Sequence, residues 1–422
     1  MSVSIVYYGA GENLRRNIES WCNQGLFPVC ISDINPSKQH TVYSMPGGQE
    51  REVLPLYEVF ERYPDYELWL TQAPFNLRAV RRSLIDCGVP PERIRFCEQV
   101  EWRMGCDMLG NAFVSIGTHF STCCSKKAFL LKSTGDFESE MKLYMDFCKQ
   151  RIKELRNGYL AVCDGCHLLK EDLYPMELSR PVHLSVTSNF EKDRCNFKCI
   201  YCYCGQEYQN SVSYKNGLFG YDMVLRFVDG KNGDDFDIGW NSGEITINPH
   251  FDELMELWLD KNIKGSISTN ASVFNKKLAW VFRYTETVLD VSLDAGTQET
   301  FKKVKGVDYF FRVIENLERY ADFAHTVKLK YVCCKGVNVN INDMNGFLEV
   351  AKRLSIKAKV DIRLSHDHSH LPTIPQLTDD EFDFLCDFYQ KAVSIGFCVD
   401  IMRECFLSTD YQSLIEKVAG DT

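Results

Sequence analysis

The sequence predicts an α/β protein built from two regions of alternating strand and helix, with a cysteine-rich stretch between them. Three observations predict it. Short β-branched and aromatic runs alternate with helical patterns over residues 3–97, the alternation breaks down over about 101–181, and it resumes from Val182 onward. At 422 residues the chain has room for roughly two to three domains of about 150 residues each. Its 45% hydrophobic and 25% charged residues are those of a globular protein, which excludes intrinsic disorder and collagen-like structure.

The first region, residues 1–100, reads strand SIVYY, helix GAGENLRRNIESWCNQG, strand PVCISD, strand ELWLTQA, helix LRAVRRSLIDCG and strand RIRFC, a small parallel sheet. Residues 101–181 carry one good helical pattern, from about Phe137 to Asn157, and form a cysteine-rich module. From 182 to 422 the strands VHLSVT, FDIGW, GSISTN, VLDVSLD, VKLKYVC and KVDIRLS follow one another with helical patterns between them. Six βα units are too few for the eight of a closed barrel and suit an open, partial (β/α)6 barrel. A last helix over 378–395 starts at Thr378 as N-cap, with acidic residues in its first turn.

The formal charge of −10, without a long basic run, argues against a nucleic-acid partner. No apolar run reaches 18 residues, which argues against a membrane span, and the start MSVSIVYYGAGE does not read as a secretory signal. Nineteen cysteines, an odd count without an export signal, point to metal or iron–sulfur ligation in a reducing cytoplasm rather than to disulfides. Cys22, Cys30, Cys87, Cys97, Cys148, Cys386 and Cys398 lie in apolar contexts and read as small buried hydrophobes.

Cys195, Cys199 and Cys202 follow the first strand of the third region with the spacing C-x3-C-x2-C. Three thiolates on one short loop can hold three corners of a cubane and leave the fourth iron open to a ligand. A zinc site, or a cluster with a distant fourth ligand, is the competing reading of the triplet alone. The following strand ends add more. The loop has an aromatic residue, Tyr201, just before its last cysteine, and the next three strands end in Asn241-Ser242-Gly243-Glu244, Ser268-Thr269-Asn270 and Ser292-Leu293-Asp294.

These features together resemble the radical SAM (S-adenosylmethionine) superfamily over about residues 182–400, with Ser242 in place of the first glycine of its Gly-Gly-Glu element. The resemblance implies a 4Fe–4S cluster on Cys195, Cys199 and Cys202, and SAM contacts from Tyr201, Ser242, Gly243, Glu244, Ser268, Asn270, Ser292 and Asp294. It also implies reductive cleavage of SAM followed by abstraction of a substrate hydrogen, with electrons from a donor such as flavodoxin or ferredoxin.

A second set, Cys106, Gly117, Cys123-Cys124, then Cys163 and Cys166, resembles a rearranged version of the cysteine pattern in SPASM-type extensions. That resemblance implies a second 4Fe–4S cluster on Cys106, one of Cys123 or Cys124, Cys163 and Cys166. A zinc knuckle or unligated buried thiols remain alternatives. Cys204 and the pair Cys333-Cys334 are left over.

Three weaker signals complete the reading. Gly9-Ala10-Gly11 with Asp33 at the end of the next strand resembles the turn of Rossmann-like domains, although Leu14 stands at the third glycine position. His366, His368 and His370 follow the sixth strand, as candidates for substrate, SAM or metal contact. Lys330 and Arg363 could pair with a carboxylate at the barrel mouth. The expectation is a radical SAM enzyme acting on a peptide or small molecule, in an oxidation or peptide-type modification. The alternatives are radical modification of a sugar or nucleotide-linked metabolite held by the N-terminal domain, and a non-catalytic zinc or redox-sensing protein.

Overall fold

A computed structural model describes residues 3–72, 77–97, 100–116, 119–123, 131–158, 163, 169–176, 178, 180–187, 195–202, 220–241, 243–367 and 374–420. The chain divides into two units: 1–111 with 148–164 and 168–180, and 112–147 with 165–167 and 181–422. The stretch 101–181, read from the sequence as one module, is thus shared between both.

The first unit is built on strands β1 (Ser4–Tyr8), β2 (Cys30–Ser32), β3 (Val42–Ser44), β4 (Glu50–Leu54), β5 (Tyr66–Leu70) and β6 (Ile94–Phe96), in the spatial order β3-β4-β2-β1-β5-β6. All neighbours run parallel except β3, which is antiparallel to β4. Without that edge strand the order is third, second, first, fourth, fifth, so the direction of winding reverses between β1 and β5. Successive residues of β1 feed opposite faces. Val6 and Tyr8 join a core with Leu68, Leu70, Val59 of helix α2 (Leu56–Arg62) and Leu77 and Leu84 of helix α3 (Leu77–Asp86). Tyr7 joins the opposite core with Ile31, Val53 and Leu14, Ile18 and Trp21 of helix α1 (Glu12–Asn23). The sequence reading missed β3 and β4. A separate antiparallel ribbon in this unit pairs β7 (Val100–Gly105) with β11 (Lys170–Pro175).

The second unit carries a ten-stranded open sheet rather than six strands. It comprises β8 (Ala112–Ile116), β9 (His119–Ser121), β10 (Leu131–Lys132), β12 (His183–Thr187), β13 (Asp237–Asn241), β14 (Lys264–Ser268), β15 (Thr287–Ser292), β16 (Thr326–Cys333), β17 (Lys359–His366) and β18 (Cys398–Ile401). The order is β10-β9-β8-β12-β13-β14-β15-β16-β17-β18, parallel from β8 through β12 to β18 and antiparallel at β9 and β10. The six strands expected from the sequence are its middle. β8 escaped notice because Ala112, Phe113, Val114 and Ser115 are all buried, which leaves no alternation to read.

In β16 and β17 the alternation is regular up to the last three residues, which are all buried. Val327, Leu329, Tyr331, Ile362 and Leu364 are buried, with Tyr331 against Phe347 of helix α10 (Ile341–Ser355) and Phe388 of helix α11 (Asp379–Ser394). The opposite face carries Asp290, Ser292, Lys328, Lys330, Asp361 and Arg363, paired across strands as Asp290–Lys328–Asp361 and Ser292–Lys330–Arg363. A one-residue slip would exchange the two faces, so the apolar face fixes the polar one. The remaining helices are α4 (Phe137–Arg156), α5 (Gly220–Val228), α6 (Phe251–Asp260), α7 (Lys276–Tyr284), α8 (Gln298–Lys305), α9 (Phe310–Ala321) and α12 (Ser408–Gly420). Thr378 and Glu381 form a reciprocal cap at the start of α11, as the TDDE sequence suggests. Among the described residues no helix is long and apolar enough to cross a membrane.

Candidate active site

The loop of Cys195, Cys199 and Cys202 is fastened to the C-terminal end of α8. Its amides at Lys198 and Ile200 donate to the carbonyls of Lys305 (3.0 Å) and Val304 (2.9 Å). Phe197 is buried against Phe301 of the same helix, edge to face at 5.9 Å. Gly306 makes this approach possible: its φ is +69°, and a Cβ there would stand 2.8 Å from the Lys198 carbonyl oxygen. The loop is therefore a fixed structure.

The three thiols are within electrostatic reach of one another, and burial raises the first two above the ordinary thiol value, Cys195 to about 11. Lys305 pulls Cys199 part of the way back. Asn270 donates to the Cys195 sulfur at 3.8 Å and to Asn196 Oδ1 at 2.7 Å. Among the described residues no three Cys, His, Asp or Glu side chains converge as ligands of a single ion. A cubane spreads its thiolates over three irons and does not require that convergence. Three soft sulfur donors on a preset loop, one already receiving an amide hydrogen bond, fit an iron–sulfur cluster.

The residues matched to SAM contacts divide into two groups. Ser268 donates to Asn241 at 2.8 Å, and Asn270 and Ser292 lie beside it at the carboxyl ends of the strands, with side chains partly exposed. Gly243 has φ +55°, a conformation that explains glycine there. Glu244 and Asp294, by contrast, are buried and turned to internal partners. Glu244 accepts from Thr246 N and Oγ1, from Thr269 Oγ1 (2.7 Å) and from Asn270 N (2.6 Å), tying the end of β13 to that of β14. Asp294, at φ +57°, accepts from Val332 N (2.8 Å) and Tyr201 Oη (2.5 Å) and pairs with Lys305. These two carboxylates are struts between strand ends. Ser242 lies outside the described residues.

Lys305 is the residue the sequence reading missed. Its ammonium donates to Asp294 and, at 2.7 Å, to the Tyr201 hydroxyl, and both charges are essentially solvent-free. Burial pulls the Lys305 pKa down, but the Asp294 carboxylate together with the Cys199 and Cys334 sulfurs outweighs this and holds it above the ordinary lysine value. A lysine four residues after Phe301, on a stripe with Val304, was the available signal.

Other expected residues are less concentrated. Cys106 and Cys163 belong to the first unit and Cys123 to the second, while Gly117, Cys124, Cys166 and Cys204 lie outside the described residues. Cys333 and Cys334 are buried, and burial raises both thiols. His366 is buried with Nε2 3.2 Å from Glu381 Oε1; His368 and His370 lie outside the described residues. Arg363 stands between Asp290 (3.6 Å) and Asp400 (3.5 Å) on the polar face. In the first unit Gly9 has φ +112°, Ala10 N donates to Asp33 Oδ2 at 2.6 Å, Lys38 covers the same turn, and Leu14 is core.

Residues 192–351 match the family model described as the radical SAM superfamily, a segment that contains the cysteine loop and the four strand ends after it. The chain contains a radical SAM domain. It is an iron–sulfur, SAM-binding domain, and its presence supports an enzyme. The chain is 29% identical over 165 residues to a probable GTP 3′,8-cyclase of Saccharolobus islandicus, covering 38% of this chain and 51% of that one. It is 24% identical over 149 residues to the GTP 3′,8-cyclase of Aliarcobacter butzleri, covering 35% and 46%. The chain spans about half the length of the curated relatives it matches. Among solved structures, SuiB of Streptococcus suis bound to the precursor peptide SuiA superposes with TM-score 0.41 at 14% identity, over 72% of this chain and 73% of that one. That likeness is too distant to bear on topology or substrate.

Proposed function

We propose that this protein is an oxygen-sensitive radical SAM enzyme that begins its reaction by removing a hydrogen atom from an unactivated C–H bond, in an oxidative or peptide-type modification. The observation that carries the reading is the cysteine loop, fixed by α8 beside the carboxyl ends of parallel strands within the radical SAM segment. The bound cluster and SAM supply the chemistry, a carbon-centred radical generated by one-electron reduction. The chain's own residues do the rest. Cys195, Cys199 and Cys202 would hold the cluster, and Asn270 would steady its Cys195 corner. Ser268, Asn270, Ser292 and the backbone at Gly243 offer polar groups beside it for SAM. Lys330 and Arg363 set the polarity of the face on which a substrate would lie. Tyr201 belongs to the loop's support.

The surplus cysteines Cys106, Cys123, Cys124, Cys163 and Cys166 favour an oxidative outcome, because a second 4Fe–4S cluster on four of them could accept the electron left by a substrate radical. A nucleotide-linked substrate is the second reading. It is favoured by the strand order of the first unit, with its winding reversal next to Gly9, and by relatives named for an action on GTP. Anaerobic reconstitution with iron and sulfide tests the proposal. About four irons per cluster, and 5′-deoxyadenosine formed from SAM with dithionite, are expected. Zinc-loaded protein without iron uptake or SAM cleavage would instead favour the sensing protein. Titration of the full chain with NAD or a nucleotide sugar separates the two substrate readings.

A further inference from the structure

The Lys305–Asp294–Tyr201 network joins three segments distant in sequence: the cysteine loop through Tyr201, the end of α8 through Lys305, and β16 through the Val332 amide that Asp294 accepts. Asn338 closes it by donating to the Asp294 carbonyl at 2.9 Å. Desolvating a lysine and an aspartate is costly, and an apolar pair of similar shape is often at least as stable. Fold stability alone therefore gives little reason for charges here.

We propose that Lys305 is a positioning residue for the cysteine loop, and that its fixed positive charge beside Cys199 favours the reduced state of the cluster held there, an inference that rests on the cluster reading above. The position follows from geometry. Lys305 grips the loop twice, by its carbonyl on the Lys198 amide and by its ammonium on the Tyr201 hydroxyl, two residues from Cys199. The charge effect follows from electrostatics. Reduction brings one electron from an external one-electron donor, with no bond made or broken in the protein, and the added negative charge is stabilised by a nearby cation that water does not screen. Asp294 opposes this from its place against Lys305, and the double variant measures how much of the lysine's charge it cancels.

The test is an anaerobic redox titration followed by electron paramagnetic resonance, with dithionite as reductant, on the signal that changes shape when SAM is added. Parent, Lys305→Arg, Lys305→Met and the double variant Lys305→Met/Asp294→Asn are compared as full-length reconstituted proteins. At a fixed potential, Lys305→Met is expected to show a reduced-to-oxidised ratio about tenfold below the parent, which is about 59 mV for one electron. Lys305→Arg should stay near the parent, and the double variant should fall between, since the opposing carboxylate charge leaves with the lysine. If Lys305→Met takes up no cluster, the double variant decides by the same sign. A loaded Lys305→Met or double variant that titrates with the parent would overturn the inference. A parent that shows no SAM-responsive signal at all would overturn the cluster reading instead.

Discussion

Each unit has a loop held by its own parallel-sheet framework, the turn after β1 in the first and the cysteine loop in the second, and the two are finished in opposite ways. In the first unit the turn after β1 is closed by its neighbours: Ala10 N donates to Asp33, Gln72 Nε2 to the Tyr8 carbonyl, Lys38 to the Ala10 carbonyl and Asn13 to the Thr71 carbonyl. In the second unit the side chains of Asp294, Tyr201 and Lys305 satisfy one another, and this mutual satisfaction braces the loop that carries Cys195, Cys199 and Cys202. A strand end serves chemistry when its polar groups brace a further set of groups rather than only the backbone.

The strongest way to break this contrast is to remove one of those sulfurs. Cys199→Ala should abolish 5′-deoxyadenosine formation and the SAM-responsive cluster signal, because the cubane loses one of its three protein corners. Parental iron and parental cleavage in that variant would remove Cys199 from the site.

Next in size is the difference between the two lysines. Lys305→Met leaves Asp294 charged and buried without its cation, an expected loss of about 3–5 kcal/mol measured by urea unfolding of the metal-free protein. Lys38 is 40% exposed beside Asp33, so Lys38→Met should lose about 0–1 kcal/mol. Equal losses would mean that the two networks brace their turns alike.

Gly306→Ala and Gly9→Ala sharpen the comparison further. Each imposes a side chain on a left-handed backbone, φ +69° and +112°, at an expected cost of about 1–3 kcal/mol. Only Gly306→Ala also pushes the Lys198 carbonyl away. Iron content after reconstitution should therefore fall in Gly306→Ala and stay at the parental level in Gly9→Ala.

The sequence showed most of this where alternation was regular or where cysteines had a ligand spacing. β12 to β17 were legible because one face of each is apolar, and the cysteine triplet because its spacing is short. β8 was hidden because both its faces are buried, β3 because it is only three residues at the sheet edge, and β4 because it opens on the charged run Glu50-Arg51-Glu52. At the site, residue type was readable but orientation was not. A carboxylate at a strand end looks the same in sequence whether it faces a ligand or, like Glu244 and Asp294, ties two strands together. Lys305 was obscured by the neighbouring Lys302 and Lys303, which read as a solvated helix end.

The smallest effect concerns the end of β17, beside the edge strand β18, where His366 and Glu381 form a buried pair. Burial pushes the Glu381 carboxyl up, but the backbone and hydroxyl donors of Thr378 and the His366 ring outweigh it and hold its pKa below the ordinary glutamate value. A carboxyl whose pKa is depressed on folding stabilises the fold above its unfolded value, and that stabilisation disappears as pH falls through the folded value. Glu381→Gln removes the titrating group but leaves an oxygen to accept from Thr378. Its urea midpoint should therefore decline less steeply than the parent's as pH is lowered below the ordinary glutamate range, with the two proteins running parallel near neutrality. A parent and variant with the same slope on the acid side would show that this pair, unlike the one at Lys305, leaves the fold indifferent to its charge.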